Sequence, residues 1–198
     1  MREWKMVGKP ALILIHMQRA ITDPQGKLAV FGHAKATRES GVIFRQQALL
    51  KAFREKRLPV VFVNAITPET KWPAYGRFWE SVRTLGANLP NSEDVEVIPE
   101  LAPAAGEPVL FNWPFGIFTG SNLRQVLDGF GVETLVLAGV ATDMAVLSAV
   151  FQGSDMLYNI IVPGDCCTSA NPKFHESASE MIDAMALLTT AEDIAAHL

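Results

Sequence analysis

The sequence predicts an α/β protein: a three-layer α/β/α sandwich on a six-stranded, mostly parallel, Rossmann-like sheet. Six short apolar runs recur along the chain, segments with apolar residues at helical spacing separate them, and the central runs are apolar almost throughout. Alternating strands and helices imply right-handed crossovers between parallel strands. Runs such as Thr134-Leu135-Val136-Leu137-Ala138 and Asn159-Ile160-Ile161-Val162 are nearly continuous in apolar character. Strands covered by helices on both faces read this way. With 198 residues, 49% hydrophobic and 19% charged, the chain can bury a substantial core, and residues 1 to 198 read as a single domain.

The first strand spans residues 11 to 16 and closes on His16. Residues 39 to 57 place Val42, Ile43, Leu49, Leu50 and Phe53 at helical spacing, and Pro59 marks the start of a second strand at 59 to 64. A third strand spans 108 to 112. Ser121 caps a helix running to about Phe130, which Gly129 or Gly131 ends. The strand at 133 to 139 breaks at Gly139 and restarts as a helix around Thr142 or Asp143, reaching about Gly153. A strand at 157 to 163 follows. Next comes a helix from Pro172 through Ala184 with Asn171 as its N-cap, then a last strand at 186 to 190. Two irregular stretches, 19 to 37 and 65 to 107, hold Pro, Gly and most aromatic residues outside the core, and read as loops and short helices over a pocket mouth.

A net charge of −4 with scattered basic residues offers no attraction toward nucleic acid or anionic lipid. The apolar run at 11 to 15 is too short for a signal core or a membrane span, so neither nucleic acid nor membrane is expected as a partner. The adjacent pair Cys166 and Cys167 does not suit a structural disulfide, which points to a reducing cytoplasm. No second ligand pair accompanies them, so no metal and no cofactor is expected, and they read as small residues packing at a strand end.

Open parallel sheets bind ligands beyond the carboxyl ends of their strands. That rule selects His16, Asn64, Asn112, residues 140 to 145 and Asp165. At these positions Gly139-Val140-Ala141-Thr142-Asp143-Met144-Ala145-Val146 resembles the nucleophile segment of the isochorismatase-like (cysteine hydrolase) family, with Ala145 where the family normally has cysteine. Ala11-Leu12-Ile13-Leu14-Ile15-His16-Met17-Gln18 resembles its first strand ending in Asp-x-Gln, with His16 in place of Asp. Residues 112 to 123 resemble the segment that starts with a lysine, here Asn112, and Phe118, Gly120 and Leu123 keep the Phe-x-Gly-Thr-x-Leu spacing. Asp165 follows the fifth strand as it does there.

The resemblance spans essentially the whole chain and implies the isochorismatase-like hydrolase fold. In the family the Asp takes the thiol proton, the Lys steadies the charged pair, and the Cys attacks an amide or nitrile carbon. Ala145 has no lone pair, so that covalent route is closed. Once the thiol is gone, Asp and Lys become buried charges without partners, and neutral replacements make physical sense. Isochorismatases themselves lack the cysteine yet cleave a vinyl ether with the Asp as proton donor, a precedent that here requires His16 to substitute. The resemblance also implies a cis peptide before Ala141, N–H groups of Ala141 and Ala145 turned into the pocket as an oxyanion hole, and a homo-oligomer, dimer or tetramer.

Each candidate has a functional and a structural reading. His16 moves a proton, or sits as a neutral imidazole bonded to a neighbour. Asn112 bonds a ligand, or bonds across the strand ends. Thr142 contacts the ligand or caps the helix. Asp143 and Asp165 pair with His16 and raise its pKa, or serve as first-turn and turn acids. Asp23, in Thr22-Asp23-Pro24, is a turn residue first. His33 and His175 read as surface or helix-packing residues. Trp113 and Phe118, with Val140 and Ala141, line the pocket, whereas Trp72, Tyr75, Phe78 and Trp79 read as interface and core. Two functions follow. One is a non-covalent hydrolase of a small molecule, with His16 as acid or base and water as nucleophile. The other is a catalytically inactive pseudoenzyme, either a small-ligand sensor or a structural subunit of an active relative.

Overall fold

A computed structural model describes residues 3–67, 76–113 and 115–198. In chain order the elements begin with β1 (Pro10–Ile15), α1 (Arg19–Thr22), α2 (His33–Glu39), α3 (Val42–Glu55), β2 (Val60–Ala65) and α4 (Arg77–Leu85). They continue with β3 (Val109–Asn112), α5 (Leu123–Phe130), β4 (Thr134–Val140), a π-turn (Thr142–Val146) and α6 (Leu147–Asp155). The last are β5 (Asn159–Pro163), β6 (Cys167–Thr168), α7 (Pro172–Met185), β7 (Leu187–Thr189) and α8 (Ala191–Ala196). The strand order is β3-β2-β1-β4-β5-β7, with β6 paired to β4, and every pairing between these strands is parallel.

Continuous apolar strands serve two faces at once, because side chains alternate across a sheet. Leu12, Leu14, Phe62, Val136 and Ala138 pack with Leu49, Leu50 and Phe53 of α3 and Ile194 of α8. The intervening residues Ile13, Ile15, Val61, Val63, Leu135 and Leu137 pack with α5, α6 and α7 through Leu123, Leu127, Ala149, Val150 and Ile182. The three layers expected from the sequence are therefore present, and all six expected strands appear.

Three local features differ. The short strand β6 pairs Cys167 with Gly139 and Thr168 with Val140, and two residues are too few to leave a periodic signal. The helix after β4 opens as the π-turn before becoming α6. Ser121 lies one residue before the N-cap position of α5, accepting from the Leu123 N–H at 3.3 Å. Asn171 caps α7 as expected, its side chain accepting from the Lys173 N–H. The irregular stretches contain α1, α2 and α4 and short 3-10 turns. Among the described residues no helix is long and apolar enough to cross a membrane.

Gly139 fixes how closely β4 approaches β1. It pairs with Ile15 at φ +137°, and a Cβ built there would stand 2.1 Å from the Ile15 carbonyl oxygen. The atoms it would meet, the Ile15 oxygen, nitrogen and carbonyl carbon, are all backbone and cannot move aside cheaply. Gly139→Ala is expected to destabilise the fold by about 3 kcal/mol or more in urea unfolding. A loss below about 1 kcal/mol would show that the strands can separate there without cost.

Candidate functional site

β1 ends at Ile15 and the chain turns sharply at His16, whose φ is +55° and whose N–H donates to the Val63 carbonyl at 2.8 Å. β3 ends at Asn112, in register with Ala65 at the end of β2. Because β2 lies between β1 and β3, the side chains of His16 and Asn112 meet across a strand end that carries only a methyl group. The His16 Nε2 to Asn112 Oδ1 distance is 2.9 Å.

The proton on this bond can be placed by accounting for the partners. The Asn112 amide nitrogen donates to the carbonyls of Trp113 at 2.9 Å and Gly116 at 3.1 Å, so both its hydrogens are used. Its oxygen then faces the imidazole, and His16 donates from Nε2. Burial lowers the His16 pKa to about 4, the bond to Asn112 offsetting only part of that shift. His16 is therefore neutral at pH 7, with a lone pair on Nδ1 that no described residue engages. The sequence left two roles open for His16 and Asn112. The arrangement found is a neutral pair joined across the strand ends.

Beside this pair β4 ends at Val140, and the Val140-Ala141 peptide is cis. The Ala141 carbonyl accepts from Met144 and Val146 as the π-turn begins, while no hydrogen bond among the described residues uses the Ala141 N–H. Ala145 follows with its methyl group buried.

A small cavity of about 40 Å³ opens here. Its floor is His16, Ala65, Val140, Ala141 and Ala145. Phe31, His33, Phe78, Phe115 and Met144 stand over the floor, and no charged side chain lines the cavity among the described residues. Since a water needs about 10 to 15 Å³ of such space, the volume holds roughly three water-sized groups. Gln18 braces the β2 side: its oxygen accepts from the Ala65 N–H at 2.6 Å, and its amide donates to Ala65 O and to Asn88 Oδ1.

Several expected site residues lie elsewhere. Trp113 is half-exposed and its ring covers Gly120, where no Cβ would fit. Phe118 stacks on Tyr158 with ring centroids 6.2 Å apart and packs against the core. Phe115 takes the pocket position instead, within an aromatic group in which Phe78 lies 5.2 Å from Phe115 and 5.8 Å from Phe31. Phe78 packs against the Ala20, Leu28 and Val82 core cluster, as expected, and also lines the cavity, while Trp72 and Tyr75 fall outside the described residues. Thr142 makes no helix cap; its hydroxyl bonds His175 Nδ1 at 2.8 Å. His33 borders the cavity, which its position in an irregular segment concealed.

Neither carboxylate expected to charge His16 reaches it. Asp143 accepts from the Ser169 hydroxyl, and Asp165 accepts from the Ala191 N–H at 2.9 Å with Arg45 at 3.7 Å. The His16 pKa moves down where an acid catalyst needs it up. Asp23 holds a turn by accepting from the Gln25 N–H. Asn64 donates to the Val95 carbonyl and lies outside the cavity lining. Cys166 and Cys167 are buried in opposite core layers, and burial raises both thiols, Cys167 to about 12, so neither supplies a thiolate. Among the described residues no cluster could hold a metal ion.

Residues 10–193 match the family model described as "Isochorismatase domain". The chain is 25% identical over 182 residues to the uncharacterized isochorismatase family protein YwoC of Bacillus subtilis, covering 88% of this chain and 85% of that protein. It is 28% identical over 183 residues to the ureidoacrylate amidohydrolase RutB of Caulobacter segnis, covering 85% and 76%. Among solved structures, N-carbamoylsarcosine amidase from Thermoplasma acidophilum superposes with a TM-score of 0.74 at 26% identity, over 93% of this chain and 97% of that one. A cysteine hydrolase from Pseudomonas syringae pv. phaseolicola shares the fold with a TM-score of 0.82 at 20% identity, over 96% and 92%.

The neutral His16 couples folding to pH. Its pKa is about 4 in the fold against 6.5 in the unfolded chain, so between these values only the unfolded chain takes up the proton. The stability it contributes is fully present above pH 6.5 and is lost as pH falls toward 4, on the order of 3 kcal/mol in all. His16→Asn, which tolerates positive φ and does not titrate, is expected to flatten the unfolding free energy over that window relative to wild type. Equal pH slopes in the two proteins would place the acid sensitivity elsewhere.

Proposed function

The chain belongs to the isochorismatase family, and on that footing we propose that it binds a small uncharged molecule at its strand ends without hydrolysing it. The observation that carries this reading is the neutral His16–Asn112 pair beside a methyl group at the nucleophile position. Ala145 cannot attack. At neutral pH His16 has no spare proton to give, since its one N–H is held by Asn112, and a base with a pKa near 4 is far from the value that proton abstraction at pH 7 favours. The hydrolytic fold that relatives named as amidohydrolases share is retained here as a binding scaffold.

The preference for an uncharged ligand follows from the lining. An ion in this cavity would lose its hydration with no opposite charge among the described residues to compensate. A neutral head group finds an acceptor at His16 Nδ1 and a donor at the Ala141 N–H, and its apolar part meets Phe31, Phe78 and Phe115. The two unpaired, buried cysteines suit a reducing cytoplasm. A homo-oligomer would use α7, where exposed Phe174, Met181 and Met185 fall on one flank at helical spacing.

Screening amides, nitriles and vinyl ethers tests the reading. The expected outcome is that some compound raises the melting temperature of the wild type, by mass action on the native state, with no product above the uncatalysed background. Product release by wild type that drops about 100-fold in His16→Ala would instead establish non-covalent acid–base hydrolysis.

A further inference from the structure

At the end of the sheet opposite His16, where β4, β5 and β7 begin, lies an open groove of about 400 Å³. Its apolar lining includes Trp4, Val7, Tyr158, Ile160, Met185 and Leu187. Two of its rings are held in place. Trp4 donates from Nε1 to Asp193 Oδ2 at 2.8 Å and stacks on His197 with ring centroids 4.1 Å apart, while Tyr158 stacks on Phe118. Such a groove is preformed, so filling it costs little ordering. Glu3 and Lys5 also line it; both are exposed, and neither makes an ion pair among the described residues.

Beside the groove stands an apolar projection. The carboxyl end of α6 is closed by two turn bonds, from the Leu157 N–H to the Ser154 carbonyl at 2.9 Å and from the Tyr158 N–H to the Gly153 carbonyl at 3.0 Å. In this motif the left-handed residue is usually glycine, which has no Cβ to clash. Here it is Leu157, at φ +65°, and it is 91% exposed. The isolated chain thus carries both a strained backbone and a fully hydrated leucine at one position. Ser154 and Tyr158, on either side of Leu157 in the turn, both line the groove, so projection and socket share one face.

We propose that this face docks a second copy of the chain about a twofold axis, each copy's Leu157 entering the other's groove. A knob and a socket side by side are self-complementary under a twofold, because what each copy offers the other receives. The charges agree, since Glu3 and Lys5 of one groove can pair with Lys5 and Glu3 of the other. The contact is independent of the strand-end cavity. It meets the exposed flank of α7 at Met185, which belongs to both surfaces.

Sedimentation equilibrium of the full chain tests the proposal. Leu157→Gly is expected to raise the dissociation constant at least about tenfold. Because glycine suits the left-handed turn, the monomer of that variant is expected to melt no lower than the wild-type monomer, which separates a lost contact from a damaged fold. Glu3→Lys is expected to weaken association about threefold or more, and adding Lys5→Glu to restore it, as happens only when the partner carries the same two changes. A chain that stays monomeric up to about 100 μM, or a Leu157→Gly dissociation constant within about twofold of wild type, overturns the proposal. Association through the middle of α7 alone would give the second of these results. A double reversal no tighter than Glu3→Lys alone overturns the second copy as the occupant.

Discussion

The hydrogen bond from His16 Nε2 to Asn112 Oδ1 is the constraint around which the strand ends are arranged. As a neutral pair it adds only about 1 kcal/mol net, yet removing either partner leaves the other buried and unsatisfied at a cost of roughly 1 to 3 kcal/mol. The two residues therefore depend on each other. Their meeting also depends on the small Ala65 between them and on the positive φ that turns the chain at His16. Asn112 in turn spends its amide hydrogens on the loop that brings Phe115 to the cavity. One bond thus orients the acceptor on the floor and helps place an aromatic wall above it.

That arrangement resolves an electrostatic problem. A buried charge with no opposite charge beside it is costly. Here His16, Asn112 and Ala145 present imidazole, carboxamide and methyl groups, and no charged side chain lines the cavity among the described residues. The nearby carboxylates are engaged elsewhere: Asp143 with Ser169, Asp165 with the start of α8. The turn after β4 holds the cis Val140-Ala141 peptide and an Ala141 N–H that no hydrogen bond among the described residues uses.

Much of the fold was legible because its signals are local and redundant. Doubly covered strands read as unbroken apolar runs, and Asn171 before Pro172 marks a helix start that the structure confirms. The strand ends were legible too, since topology alone selects His16, Asn112 and the turn after Gly139. The cavity roof was not. Phe115 differs from Trp113 and Phe118 only in where a tight turn sends each ring, and that turn is closed by Trp113 and Thr119 through backbone hydrogen bonds that no side-chain pattern announces. His33 and Phe78 come from segments whose path is set by long-range packing. The direction of the His16 pKa shift was equally hidden, because it depends on complete burial and on carboxylates that turn away.

The protonation state of His16 in the folded chain at neutral pH tests the central claim most directly, and the 15N shifts of its two ring nitrogens report it. A neutral ring protonated at Nε2, with Nδ1 unprotonated, is the predicted result. A doubly protonated imidazolium, or the opposite tautomer, would contradict the account.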